Sequence, residues 1–175
     1  MKSQNGFTLI ELMVTLAVAM IILTVGAPSF TTILRNAALT ATANDLVGAL
    51  NLARSEAVKR RVPTRLCKSN DGVSCATSAD WEAGWLVFAD EDRNGVPATA
   101  EVIRVYPALA NGYTLRVNGN FGHWVEFQPT GATLGSSGNS DTFRLCHGAG
   151  VDFSRSVDVA PSGRVQVAGP ATVCP

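Results

Sequence analysis

The chain has 175 residues, 14 Lys plus Arg against 14 Asp plus Glu, and a formal net charge of zero. That length supports one domain with its own core. The charge balance gives no global basicity that would point to nucleic acid, although charge can still cluster locally.

Met1 to Gly6 is short and polar, with one cation, Lys2. From Phe7 to Ala27 the chain is almost purely apolar, and Glu11 is its only formal charge. A helix of about 21 residues at ~1.5 Å per residue spans the ~30 Å hydrocarbon core of a bilayer. The run is therefore expected to cross a membrane once. A carboxylate inside it costs about 2.5–3.5 kcal/mol on insertion scales, so Glu11 asks for a functional reason. In an ordinary secretory signal the small residue of the cleavage site follows the apolar stretch. Here Gly6 precedes it, and a cut at Gly6 would leave the whole run on the mature protein.

Pro28 is expected to bend the helix rather than end it. Apolar spacing of three and four resumes at once through Phe30, Ile33, Leu34, Ala37, Ala41, Leu46, Leu50, Ala53 and Ala57. Lys59-Arg60-Arg61 places cations where a helix end favours them, and Pro63 stops continuation. One long bent helix is thus predicted from about Phe7 to Arg60.

After Pro63 the pattern changes to short strands with turn punctuation. Strands are expected at Thr64–Lys68, Gly84–Ala89, Val102–Tyr106, Tyr113–Val117, Trp124–Phe127 and Thr142–Cys146. A last hairpin joins Val157–Val159 to Val165–Val167 through Ala160-Pro161-Ser162-Gly163, which suits a type I turn. Residues Gly131 to Asn139 read as a flexible surface loop. The fold class is α+β: the long helix, about 7–60, packed on a C-terminal antiparallel β-sandwich-like head. Trp81, Trp85 and Trp124 are expected to fill the core between sheet and helix.

Four cysteines, an even count, suit two disulfides in an exported domain. Three pairings are open. Cys67–Cys75, closing a short polar loop, with Cys146–Cys174, pinning the C-terminus, is the preferred one. A zinc site is disfavoured, because there is no Cys-x-x-Cys pair and His123 and His147 are not spaced as ligands.

Asp90, Asp92, Asn94, Gly95 and Glu101 match the calcium-loop pattern D-x-[DN]-x-[DN]-G-x₅-E. The flanking elements are strands, not helices, so an acidic hairpin turn is the favoured reading and calcium the weaker one. Lys59, Arg60, Arg61, Arg65 and Lys68 cluster near the helix end, and Arg155 and Arg164 flank the last hairpin. No nucleophile elbow or phosphate loop accompanies His123 or His147, so no catalytic residue, cofactor or enzymatic activity is expected.

The N-terminal stretch Gly6-Phe7-Thr8-Leu9-Ile10-Glu11-Leu12 resembles the class III signal of type IV pilins and type II secretion pseudopilins. The head resembles the GspH/FimT branch of that group in chain order. The matching segments are Ala53-Arg54-Ser55-Glu56-Ala57-Val58, Cys67-Lys68-Ser69, Trp81 with Gly84-Trp85-Leu86-Val87-Phe88, Phe127-Gln128-Pro129-Thr130-Gly131, Phe143-Arg144-Leu145-Cys146 and Ser162-Gly163-Arg164-Val165. The resemblance is to the FimU/FimT pilus members more than to the secretion member, chiefly through the cysteines.

By that resemblance, residues 1–6 are a leader that a prepilin peptidase removes after Gly6, with N-methylation of Phe7. Residues 7–29 are a transmembrane and filament-core helix. Residues 30–175 are a periplasmic pilin-like head, with its β-rich region at 62–175. The subunit sits in the inner membrane as a single-pass protein until it assembles with other pilin or pseudopilin subunits into a type IV pilus or secretion pseudopilus, at the tip in a priming complex. A carboxylate buried in a filament core needs a cation near it. Glu11 is therefore expected to neutralise the new α-amino group of Phe7 on a neighbour. The alternative function is a DNA-binding minor pilin. DNA-binding FimT-like members carry Gly-Arg-x-Arg, whereas this chain has Gly163-Arg164-Val165-Gln166. Only Arg164 carries over, with Arg155 beside it as a further DNA contact, and DNA binding is not favoured.

Overall fold

The computed structural model describes residues 6–148 and 150–174, without the side chains of 25–29. Most of the expected leader, including Lys2, lies outside the described residues. The chain divides into two compact units, Met1–Ala37 and Ala38–Pro175, and each is described by itself.

One α-helix, α1, runs over Leu9–Arg60, 52 residues. It begins two residues later than the apolar run and continues through Pro28. The bend expected there falls among side chains outside the described residues.

In the first unit the described apolar side chains are uncovered. Phe7 is 85% exposed and Leu9 is 76% exposed, and Ile10, Leu12, Ile21 and Leu23 are exposed as well. The expectation of a single-pass inner-membrane protein is corrected here: no helix among the described residues is long and apolar enough to cross a membrane. Among the described residues Glu11 puts a charge in the apolar stretch, and Thr15 and Thr24 interrupt it with hydroxyls.

In the second unit α1 becomes amphipathic. Leu46, Leu50, Ala53 and Ala57 are buried on one stripe, as the three- and four-residue spacing predicts, but the expected Ala41 is exposed, and Leu39 and Ala43 extend the stripe instead. The helix ends where Arg61 takes a left-handed φ of 60°, two residues ahead of Pro63.

Among the described residues, nine strands form two antiparallel sheets. The first has the order β3-β2-β1-β5-β6, from β1 (Thr64–Lys68), β2 (Trp85–Ala89), β3 (Val102–Tyr106), β5 (Trp124–Phe127) and β6 (Thr133–Gly135). The second has the order β4-β7-β8-β9, from β4 (Tyr113–Arg116), β7 (Asp141–His147), β8 (Ser154–Val159) and β9 (Val165–Gly169). Strand alternation sends Leu66, Trp85, Val87, Phe127, Phe143, Leu145 and Val157 into one core against the helical stripe. The opposite residues of the first sheet, Cys67, Leu86 and Phe88, make a second small cluster on its other face. This is the expected α+β architecture, with a helix on a two-sheet head.

Two expectations are corrected in detail. Gly131 to Asn139 is not a plain loop, because β6 lies within it. The Thr133 N–H donates to the Pro161 carbonyl at 3.0 Å, and the Thr133 hydroxyl reaches the carbonyls of Asn139 and Ala160. Trp81 and Trp85 fill the main core, but Trp124 packs on the second cluster, half-buried, with the Arg65 guanidinium 4.4 Å from its ring centre.

Candidate functional site

Gly6 and Phe7 lie just ahead of the helix, and Thr8 occupies the position before its first residue. Glu11 is three residues on, and the two are tied together. The Glu11 N–H donates to Thr8 Oγ1 at 3.3 Å, and the Thr8 N–H donates to Glu11 Oε2 at 3.4 Å. These bonds are long, but their reciprocity is that of a capping box, which satisfies donors that a helix start otherwise leaves open. Glu11 therefore stands at the exposed first turn, in register with Thr8, and not in the middle of the apolar run.

The far end of α1 organises the head. Arg54 points off the buried stripe, and its guanidinium donates to the carbonyl oxygens of Gly131 and Ser162. The turn before β9 is closed by the Gly163 N–H donating to Ala160 at 2.8 Å, as the Ala160–Gly163 reading predicts. Gly163 has φ +77°, and a Cβ there would run into the carbonyl oxygen of Gly131. Sequence reasoning did not find this clamp. Its signal was one arginine lying off a helical stripe and two glycines in separate turns.

Two disulfides staple the head. Cys67–Cys75 closes the loop after β1, and Cys146–Cys174 holds the C-terminus to the end of β7. Inside the first loop Asp71 accepts hydrogen bonds from the Ser74 hydroxyl, the N–H groups of Ser74 and Val73, and the Ser69 hydroxyl. These donors hold its carboxyl far below the usual carboxylate range.

The acidic loop after β2 gathers oxygens. Carboxylate atoms of Asp90, Asp92 and Glu101 lie within 4.8 Å of one another, while the Asn94 amide turns to Asp92 at 2.6 Å. Each buried carboxylate already has donors. Both Asp90 oxygens accept the Gly95 N–H, and Glu101 accepts the N–H groups of Glu91 and Ala98. Arg65 lies 3.9 Å from Asp90 and pairs closely with Glu126. The loop is thereby built as a self-bonded turn between β2 and β3.

Arg155 and Arg164 are held on different elements. Arg155, on β8, donates to the Ser154 carbonyl and, at 3.4 Å, to the Thr40 hydroxyl on α1. Arg164 lines a polar groove that it shares with Asp141 and Asp158. Asp141 was not singled out in the sequence. Its carboxylate accepts four backbone N–H groups, those of Asn118, Gly119, Phe121 and Thr142, and so anchors the turn after β4. His147 ends β7 with its ring against Tyr113, and His123 sits just ahead of β5.

A capped helix start wrapped in uncovered apolar side chains, and a disulfide-closed head of two sheets, define a structural subunit of the pilin class. The comparisons agree. The prokaryotic N-terminal methylation motif matches residues 1–27, and the family described as type II transport protein GspH matches residues 42–163. The chain belongs to the GspH family, and is a minor pilin or pseudopilin subunit of a type IV pilus or secretion pseudopilus. Two crystal forms of the type IV minor pilin FimU of Pseudomonas aeruginosa (strain PAO1) share its fold. One is 23% identical with a TM-score of 0.59, covering 78% of this chain and 94% of that one. The other is 22% identical with a TM-score of 0.59, covering 78% of this chain and 99% of that one. No curated protein matches the chain.

Proposed function

We propose that this chain is a minor pilin, cut after Gly6, N-methylated at Phe7, and built into a type IV pilus through the apolar start of its helix. In this reading residues 7–29 pack in the filament core, and 30–175 form the head that meets other minor subunits near the tip. Prepilin peptidase and the neighbouring pilin subunits are its partners. The pilus is preferred to the secretion pseudopilus because the cysteine-stapled head follows the FimU/FimT pattern.

The observation that supports this most is the exposed Glu11 at the helix start. An uncovered apolar surface this large calls for a protein neighbour. Beside it stands one carboxylate, four residues from the amine that cleavage at Gly6 would release. Buried between packed helices, that carboxylate is tolerable only with a cation, and a neighbour's Phe7 α-amino group supplies one. The test is the fraction of Glu11→Gln and Glu11→Ala chains recovered in sheared filaments, at matched cellular levels and with Gly6 cleavage checked by mass. A large loss is expected. Incorporation at the unmodified level sinks the reading.

A further inference from the structure

The two sheets have four open edges, and three of them are blunted. On β3 the edge carries Arg104, its pairing with β2 has an irregularity at Val87/Phe88, and Gly72 of the disulfide loop lies against Val105. On β6 the edge is only three residues long. On β4 the turn at Trp81–Ala83 lies alongside, and the Glu82 carboxylate accepts the Leu115 N–H. These are the ordinary devices that stop an edge from pairing with another chain.

The edge at β9 shares only the pairing irregularity, at Ser156/Val157 of β8, and has no charge, shortening or covering segment. Its sequence, Val165-Gln166-Val167-Ala168-Gly169, carries no charge and no proline. Gln166, Val167 and Ala168 are exposed, and Val167 is 48% open to solvent. It pairs with β8 alone, and no other described backbone group bonds to residues 165–169. The strand is also rigidly presented, because the turn before it is held by Arg54 and Gly163, and the Ser156 hydroxyl donates to the Gly169 carbonyl at 3.1 Å. A five-residue, uncharged, preformed edge is a template for strand addition, where backbone bonds give affinity and side-chain chemistry gives selectivity.

We propose that β9 is a docking edge, and that its occupant is an extended strand of another pilin-class subunit. Charge complementarity sets that strand's chemistry. It is uncharged opposite Gln166 to Ala168, where a charge would be desolvated without a partner, and it carries a carboxylate at the end that lies beside the exposed Arg164. This rests on the assembly reading above.

Hydrogen exchange on the peptide covering 165–169 tests it, comparing the purified full-length chain with intact filaments that contain it. Amides of β9 that face away from β8 are expected to exchange at least about tenfold more slowly in the filament, with β8 unchanged. The double variant Gln166→Lys, Ala168→Lys is expected to keep its melting temperature and to lose filament incorporation by a similar factor. A chain that enters filaments with β9 exchange unchanged overturns the docking edge and leaves the assembly reading standing. A chain absent from filaments overturns both. Should the double variant fold poorly, the exchange comparison decides, since it needs no substitution.

Discussion

The Nε of Arg54 lies 3.3 Å from the carbonyl oxygen of Gly131, a residue 77 positions further along the chain. The same guanidinium reaches Ser162 at 3.3 Å, so one helical side chain joins the turn after β5 to the turn before β9. Removing it leaves two carbonyls without a charged donor. Arg54→Ala is expected to cost about 1.5–3 kcal/mol, the range for hydrogen bonds to a charged group. Gly163→Ala should cost more than a single lost bond. It adds left-handed strain of about 1–3 kcal/mol to a Cβ that meets the Gly131 carbonyl. Urea unfolding of the purified chain measures both. A Gly163→Ala midpoint equal to that of the unmodified chain would refute the clamp.

The two disulfides close loops of different length, with sequence separations of 8 and 28. Loop-closure entropy then ranks them. Opening Cys67–Cys75 should cost about 2.5 kcal/mol and opening Cys146–Cys174 about 3.6 kcal/mol, on the chain-entropy estimate. The paired Cys→Ser variants, compared by thermal unfolding, are expected in that order. The reverse order would mean that packing around Cys67, which belongs to the buried outer cluster, outweighs chain entropy.

Much of the fold is legible because its signals are periodic. The stripe from Leu46 to Ala57 repeats at three and four residues, and the strand runs at Trp85–Ala89 and Val102–Tyr106 stand between turn residues. What escaped is set by partners distant in sequence. β6 pairs with β5, and Thr133 within it bonds to Ala160 and Pro161, which lie far along the chain. Trp124 has the same composition cue as Trp81, yet alternation in β5 turns it to the opposite face. Thr8 and Glu11 do spell a capping box locally, but the apolar run around them hides it.

The acidic loop yields a prediction about an ion. Asp90 is buried and both its oxygens accept the Gly95 N–H, so Asp90→Ala leaves that donor unsatisfied and Arg65 with one carboxylate fewer. A loss of about 1–3 kcal/mol is expected. Because backbone amides already occupy Asp90 and Glu101, millimolar calcium should leave the melting temperature of the unmodified chain unchanged, and should not alter the cost of the substitution. A calcium-dependent rise in melting temperature that Asp90→Ala abolishes would overturn the self-bonded turn.

Acid should weaken the head through Glu82. Burial alone would raise its carboxyl, but hydrogen bonds from Arg116 and from the Leu115 N–H outweigh that and hold it below its ordinary value. The unfolded chain therefore binds this proton at a higher pH than the folded one. The stabilisation is present above the unfolded value, about 4.5. It is lost as pH falls through the folded value. Asp71 acts in the same direction, since its carboxyl is held lower still. Urea midpoints of the purified chain should be level from neutral pH down to about 5 and then drop. Glu82→Gln should lower the neutral-pH midpoint, because a charged acceptor for Arg116 becomes neutral, and should flatten the acid limb. Asp71→Asn should flatten the more acidic part of that limb. If both variants kept the original acid slope, the protons responsible would sit elsewhere, and the pairing of Glu82 with Arg116 would not be what ties the turn at Trp81–Ala83 to the edge of β4.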